Sequence, residues 1–271
     1  MPQQLMRTLL VVLLLAIPLR AGAVSVNDLE ARVYNDAAGN SLPYRLFKPK
    51  DYDPKQKYPL VLFLHGAGER GNDNAAQLRH SNPLIFVNEE NQTKHPCFFV
   101  APQCPRGKRW VEVDWGAAAH VQPKEPSDPM RLTIELLDAL QKEFSLDPQR
   151  LYVTGMSMGG YGTWDIIARR PHLFAAAAIV CGGADETTAP RIAHIAQWAF
   201  HGAEDNVVKV QRSRNMIAAL KQAGGTPLYT EYEKGGHGIW DRAYREPELV
   251  PWVFTQKRVN SAARETDTPG Q

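Results

Sequence analysis

Arg150-Leu151-Tyr152-Val153-Thr154-Gly155-Met156-Ser157-Met158-Gly159-Gly160-Tyr161-Gly162-Thr163-Trp164 reads as a strand, a sharp turn and the opening of a helix. The first five residues form an apolar β-type run, and residues 155–159 form a G-x-S-x-G pattern. In the context strand–turn–helix, that pattern predicts a serine on a strained backbone, with its hydroxyl projecting from the top of a sheet. Small flanking residues let helix and strand approach closely, and the helix N-terminus lends positive potential to a developing oxyanion. Ser157 is therefore the candidate nucleophile.

Outward from this stretch, apolar strands alternate with helical segments. Ala31–Tyr34 and Leu42–Phe47 read as a hairpin across the turn at residues 36–40. Tyr58–Leu64 is a strongly apolar strand ending at His65-Gly66-Ala67-Gly68, and Cys97–Ala101 is another, closed by Pro102. A helix is expected from about Pro129 to Phe144, with Leu132, Leu136, Leu137 and Leu140 on one face. The helix after Ser157 stops before Pro171, and Ala175–Val180 and Gln197–Phe200 are further buried strands. Thr187–His194 reads as an irregular excursion. A helix over about Val208–Ala223, ended by Gly224-Gly225, leads to a last strand, Leu228–Tyr232, and a closing helix around Glu246–Lys257. Near-continuous apolar strands separated by helices predict an α/β domain, its sheet mainly parallel and covered on both faces.

The ends read differently. Met1–Arg7 is basic, Leu9–Leu19 is apolar but for Pro18, and Ala21-Gly22-Ala23 is a small-residue cleavage site, the pattern of a secretory signal at residues 1–23. No Cys follows the cleavage site to carry a lipid anchor. Cleavage would leave a single domain over residues 24–259 and a polar tail at 260–271 expected to be disordered. The chain has 31 basic and 29 acidic residues, and loss of Arg7 and Arg20 would balance them at 29 each. That balance asks for neither nucleic acid nor an anionic membrane. Export to the periplasm or the medium is expected, with no stable membrane anchor afterwards. Cys97 and Cys104 flank an extended run that would hold their Cα atoms roughly 23 Å apart, beyond disulfide reach. Cys181 meets Cys104 only through a loop excursion, so no disulfide is expected.

A serine hydroxyl needs a base, usually histidine, oriented by a carboxylate, in the order Ser, Asp or Glu, His on this kind of sheet. His237 stands in the glycine-rich loop Lys234-Gly235-Gly236-His237-Gly238 after the last strand and is the candidate base. His172 and His194 fall in surface turns, and His201 is expected to order the turn that follows its strand. Glu204 and Asp205 are both available as the acid. Asp205 precedes the apolar pair Val207-Val208 and is preferred, with Glu204 left to solvent and Asp185, Asp241 and Glu231 as alternatives. The oxyanion hole is expected from the amides of Met158 and Ala67. Trp110 and Trp240 are expected to frame the cleft, with Arg109 and Lys108 able to meet a polar or acidic substituent. No metal or organic cofactor is implied, because the histidines lack zinc-site spacing.

The stretches Leu62–Gly71, Ala101–Pro105, Thr154–Trp164, His201–Asp205 and Gly235–His237 resemble the α/β-hydrolase superfamily. More narrowly, they are similar to the secreted esterases and "predicted peptidases" grouped with polyhydroxybutyrate depolymerases, feruloyl esterases and the prolyl oligopeptidase catalytic domain. The resemblance spans about Tyr44–Gln256. It implies a twisted, mainly parallel sheet of about eight strands and a Ser157–Asp205–His237 triad cleaving a small-molecule or carbohydrate-linked ester. Two departures matter: there is no β-propeller to gate peptides, and the nucleophile is Ser, not the Cys of dienelactone hydrolases. A peptidase and a catalytically silent binding protein are the alternative readings.

Overall fold

The structure, a computed structural model, describes residues 24–80 and 82–258. The expected signal segment 1–23 and tail 260–271 lie outside the described residues, as do Ser81 and Val259.

The first two strands, β1 (Glu30–Asn35) and β2 (Ser41–Phe47), form the expected antiparallel hairpin, with Tyr34 opposite Leu42. Its turn is closed by Asp36, whose Oδ1 accepts the amides of Ala38 and Asn40 at 3.0 and 2.8 Å, and by Gly39 at φ +84°. Only one face of β2 is covered, so Leu42, Tyr44 and Leu46 alternate inward. The strand β3 (Tyr58–Leu64) is buried throughout and leads through three short 3-10 turns and the helix α1 (Glu89–Lys94) to β4 (Phe98–Pro102). Next come α2 (Asp128–Glu143), capped by the Ser127 hydroxyl with Pro129 in its first turn, then β5 (Leu146–Met156) and α3 (Met158–Arg169). The chain continues through β6 (Ala176–Val180), α4 (Ala189–Ile192), β7 (Ala196–Gly202), α5 (Gln211–Gln222), β8 (Leu228–Tyr232), α6 (Trp240–Tyr244) and α7 (Leu249–Thr255).

One eight-stranded sheet runs in the order β1-β2-β4-β3-β5-β6-β7-β8. The β1/β2 and β2/β4 pairs are antiparallel and the others parallel. Its faces divide the apolar residues by the two-residue period of a strand. Leu60, Leu62, Leu64 and Val153 face a core with α2, α3 and α5, while Val61, Phe63, Tyr152 and Phe99 face a second core with α6, α7 and residues 82–87. Since β4 lies on one side of β3 and β5 on the other, the topology switches at β3, the place beyond whose strand ends open α/β sheets generally bind ligands.

Several boundaries differ from the sequence reading. The excursion at 187–194 is packed: Thr188, Ala189 and Ile192 are buried, and α4 joins the first core. The strand expected at 151–154 extends back to Leu146, pairing there with Tyr58 through a register shift around Pro148. Helix α5 begins at Gln211, after a turn held by Asp205, and the closing helix is confined to Leu249–Thr255.

Candidate active site

At the junction of β5 and α3, Ser157 adopts φ +54° and ψ −118°, a conformation L-residues avoid. Its amide donates to Val180 O at 2.8 Å, tying the turn to the end of β6. The flanking glycines are there for space. A Cβ on Gly155 would lie 2.3 Å from Gly159 O, and one on Gly159 would lie 1.8 Å from Leu64 O. Helix α3 therefore starts in backbone contact with the end of β3, its first-turn amides aimed where Ser157 stands.

The loops after β7 and β8 are joined by backbone bonds: Ala203 N donates to Tyr232 O at 3.0 Å and Glu204 N to Gly235 O at 2.9 Å. This brings Asp205 to His237, with Nδ1 to Oδ2 at 2.7 Å, and His237 Nε2 lies 2.8 Å from Ser157 Oγ. Because Oδ2 of the carboxylate can only accept, Nδ1 carries the proton and Nε2 turns its lone pair to the serine hydroxyl. Asp205 Oδ1 accepts the amides of Val207 and Val208 at 2.8 and 2.9 Å. Burial alone would raise the Asp205 carboxyl. Hydrogen bonds from His201, His237, Val208 and Val207 outweigh it and hold the group well below the ordinary carboxylate range. Glu204 is exposed. The other acids are engaged elsewhere: Asp185 binds Thr187 and the Gln122 amide, Asp241 binds Asn82 and Arg245, and Glu231 binds Arg214 and Tyr229.

On the opposite side of Ser157, Ala67 opens a 3-10 turn directly after Gly66. A Cβ on Gly66 would come within 3.7 Å of Ser157 Cβ, so this turn abuts the serine. The turn is pinned from three directions. Arg70 Nε donates to Ala67 O at 2.8 Å, Trp110 Nε1 donates to His65 O at 3.0 Å, and His65 Nε2 accepts the Cys104 amide at 2.9 Å. That acceptor role puts the His65 proton on Nδ1, which donates to Gly66 O at 2.7 Å. Burial lowers the His65 pKa to about 4, against the bond to Gly66 and with help from the Arg70 charge, so the ring is neutral at neutral pH. Sequence reading missed the parts of His65 and Arg70. Their only signal was the apolar strand running directly into a histidine and a glycine-rich turn.

Trp110 is not a cleft wall. It is fully buried, edge-on to His65 at 5.3 Å between centroids, and its indole N–H is taken by His65 O. Arg109 donates to Val113 O and stacks on Trp115 at 4.5 Å, and Lys108 pairs with Asp128 at 3.0 Å. Trp115, which also lies 5.9 Å from the Arg70 guanidinium, was not anticipated. Trp240 is half-buried and stands edge-on to His237 at 5.8 Å, with His80 on it at 5.2 Å. His80 in turn lies 3.4 Å from the buried carboxylate of Glu69.

All three cysteines are unpaired and buried. Cys181, at φ +50°, points its thiol at His237 O, 3.3 Å away. Burial and the Asp205 charge raise its pKa far above the ordinary thiol range. Among the described residues, Cys181, His201 and Asp205 are the one group whose donor atoms lie close enough to share a metal ion, within 4.8 Å of one another. Each of those donors already has a hydrogen-bond partner, which fits a proton network better than a cation site.

The family model named Esterase matches residues 36–265. The chain belongs to that family. It is 42% identical to a protein solved as a "Thermostable Esterase", over 86% of this chain and 64% of that one, with a TM-score of 0.81. It is 23% identical to a "Probable feruloyl esterase C" of Aspergillus terreus, over 69% of this chain and 63% of that protein. It is also 32% identical to "Poly(3-hydroxyalkanoate) depolymerase C" of Paucimonas lemoignei, over 46% of this chain and 28% of that protein. This esterase-family chain thus spans under two thirds of the length of each. Its eight-stranded sheet and the solved neighbour together establish the α/β-hydrolase fold.

Proposed function

We propose that this protein is a serine hydrolase of carboxylic esters. The observation that carries the reading is the unbroken hydrogen-bond relay from Asp205 through His237 to a serine held at positive φ on the β5–α3 turn. His237 Nε2 takes the Ser157 proton as Oγ attacks the ester carbonyl. The tetrahedral oxyanion develops between the Met158 and Ala67 amides, where the α3 N-terminus also favours negative charge. The imidazolium, stabilised by ionised Asp205, returns the proton to the leaving alkoxide. An acyl group remains on Ser157 Oγ, and water, deprotonated by His237, releases it as the acid.

The substrates proposed are esters of short acyl or feruloyl-type acids or of sugar alcohols. Support comes from the names of the relatives and from Trp240, whose indole stands beside His237 as an aromatic wall for the bound ester. Export follows from the N-terminal signal pattern, and no helix among the described residues is long and apolar enough to cross a membrane. The purified protein should hydrolyse p-nitrophenyl acetate or butyrate, and a feruloyl ester, faster than a dipeptide p-nitroanilide at equal concentration. Rapid amide cleavage with negligible ester turnover would replace this reading with a peptidase.

A further inference from the structure

The carboxylate of Asp205 is held by more than the relay uses. Its side chain is fully buried, three of its acceptor sites take hydrogen bonds, and the fourth lies beside a second imidazole nitrogen. Oδ1 takes the Val207 and Val208 amides, while Oδ2 is shared between His237 Nδ1 at 2.7 Å and a second imidazole, His201 Nε2, at 3.2 Å. His201 is itself fully buried at the end of β7, four residues before Asp205. Its Nε2 also faces Val208 O at 2.9 Å, so both neighbours of that nitrogen are acceptors and the ring proton must sit there. Nδ1 is then an acceptor facing the Ser213 hydroxyl from α5 at 2.7 Å, a hydroxyl that also lies 3.3 Å from Gly182 O. The two acceptors at Nε2 set the tautomer.

We propose that His201 is a positioning residue for the reaction: its Nε2–H, held by Val208 O and shared with Asp205 Oδ2, fixes the Asp205 carboxylate so that one lone pair of Oδ2 is aimed at His237. The inference rests on the serine-hydrolase reading above. Two amides alone would hold Oδ1 and leave the carboxylate free to swing about that edge. With His201 in place, the second lone pair of Oδ2 faces the shared Nε2–H, and His237 meets the first in the geometry that directs Nε2 at Ser157. Ser213 and Val208 set the donor, and His201 passes that orientation to the acid.

Three variants separate positioning from packing. In His201→Gln the side-chain amide reaches the place of Nε2 and can donate to Asp205. In His201→Asn the shorter amide reaches only the place of Nδ1, keeping Ser213 but losing Asp205. His201→Phe fills the volume and donates to neither. Kinetics with p-nitrophenyl butyrate should be normalised by active-site titration with a fluorophosphonate, and thermal unfolding recorded for each. Loss of a hydrogen bond to a buried charge predicts a fall of about 10–100-fold in kcat for the Asn and Phe variants, with KM nearly unchanged. The Gln variant should recover most of that loss. If the Phe variant fails to fold, the Gln–Asn pair decides. An Asn variant at wild-type kcat, or a Gln variant as impaired as Asn at matched stability, would overturn the proposal. Ser157→Ala is run beside them: if it stays active, the nucleophile reading falls and this role with it. If it is dead while Asn is at wild-type kcat, only the positioning role falls.

Discussion

Replacing Asp205 by Asn changes one atom and should remove nearly all activity, for a reason that can be followed bond by bond. Oδ1 now accepts two amides, while Oδ2 accepts the His237 Nδ1–H and has His201 Nε2 3.2 Å away. An Asn side chain offers one acceptor and one donor. With its oxygen left toward Val207 and Val208, its NH2 faces His237 Nδ1, which must then become the acceptor. The His237 proton moves to Nε2 and points at Ser157 Oγ, so the base has no lone pair for the serine. Flipping the amide restores His237 but sets the NH2 against two backbone N–H groups in a buried site. Either arrangement costs several kcal/mol, and a wrong-tautomer penalty of this kind corresponds to about 10⁴-fold in kcat. Glu204→Gln, at an exposed carboxylate, should leave kcat within about twofold, as surface changes generally do. The assay is p-nitrophenyl butyrate hydrolysis, with fold checked by circular dichroism and thermal melting. Asp205→Asn retaining a tenth of wild-type kcat, or Glu204→Gln proving the more damaging, would refute the assignment of the acid.

Gly159→Ala would place a methyl 1.8 Å from the Leu64 carbonyl, a backbone contact no rotamer relieves, so loss of soluble folded protein or a fall of more than about 3 kcal/mol is expected in urea unfolding. Trp110→Ala should destabilise by about 3–5 kcal/mol, because the indole is fully buried, whereas Trp240→Ala, half-buried against the second core, should cost clearly less and raise KM for aromatic esters. The two should be compared by melting and by steady-state kinetics, and the reverse pattern would exchange their roles. Acid should destabilise the fold between pH 6.5 and pH 4. The unfolded chain protonates His65 near 6.5 but the folded one only near about 4, so the unfolded state binds more protons across that window and stability falls with pH. The cost attributable to this ring approaches about 3 kcal/mol below pH 4, and His120, also lowered to about 4 by burial and by Arg212, adds in the same direction. Equal unfolding free energies at pH 7 and pH 4.5 would contradict it.

The parts of the fold legible in sequence are those with local, periodic signals. The apolar run into Gly155-Met156-Ser157-Met158-Gly159 announced β5, the turn and α3, and the turn residues Asp36 and Gly39 announced the hairpin. That Asp205 rather than Glu204 is held inward was readable because Val207-Val208 turn the chain inward directly after it, and their amides bind Oδ1. Helix α4 was not readable, because four residues are too few to display a 3.6-residue period. Trp110 was misread because proximity to a strand end in sequence does not tell which side of the following loop a side chain takes, and its N–H had a carbonyl waiting inside. Arg212 gave no signal, yet it is fully buried and ties Ala117 and Ala184 together through their carbonyls. Such pairings across long sequence separations exist only after folding.

Ser157 as the nucleophile is open to a decisive test by covalent labelling. The purified protein should be incubated with a fluorophosphonate, with mass measured intact and after proteolysis, beside Ser157→Ala. One adduct per chain is expected, located on Ser157, with ester hydrolysis lost in step with labelling and neither label nor activity in the variant. An adduct on another residue, or an unlabelled protein that still hydrolyses esters, would contradict it.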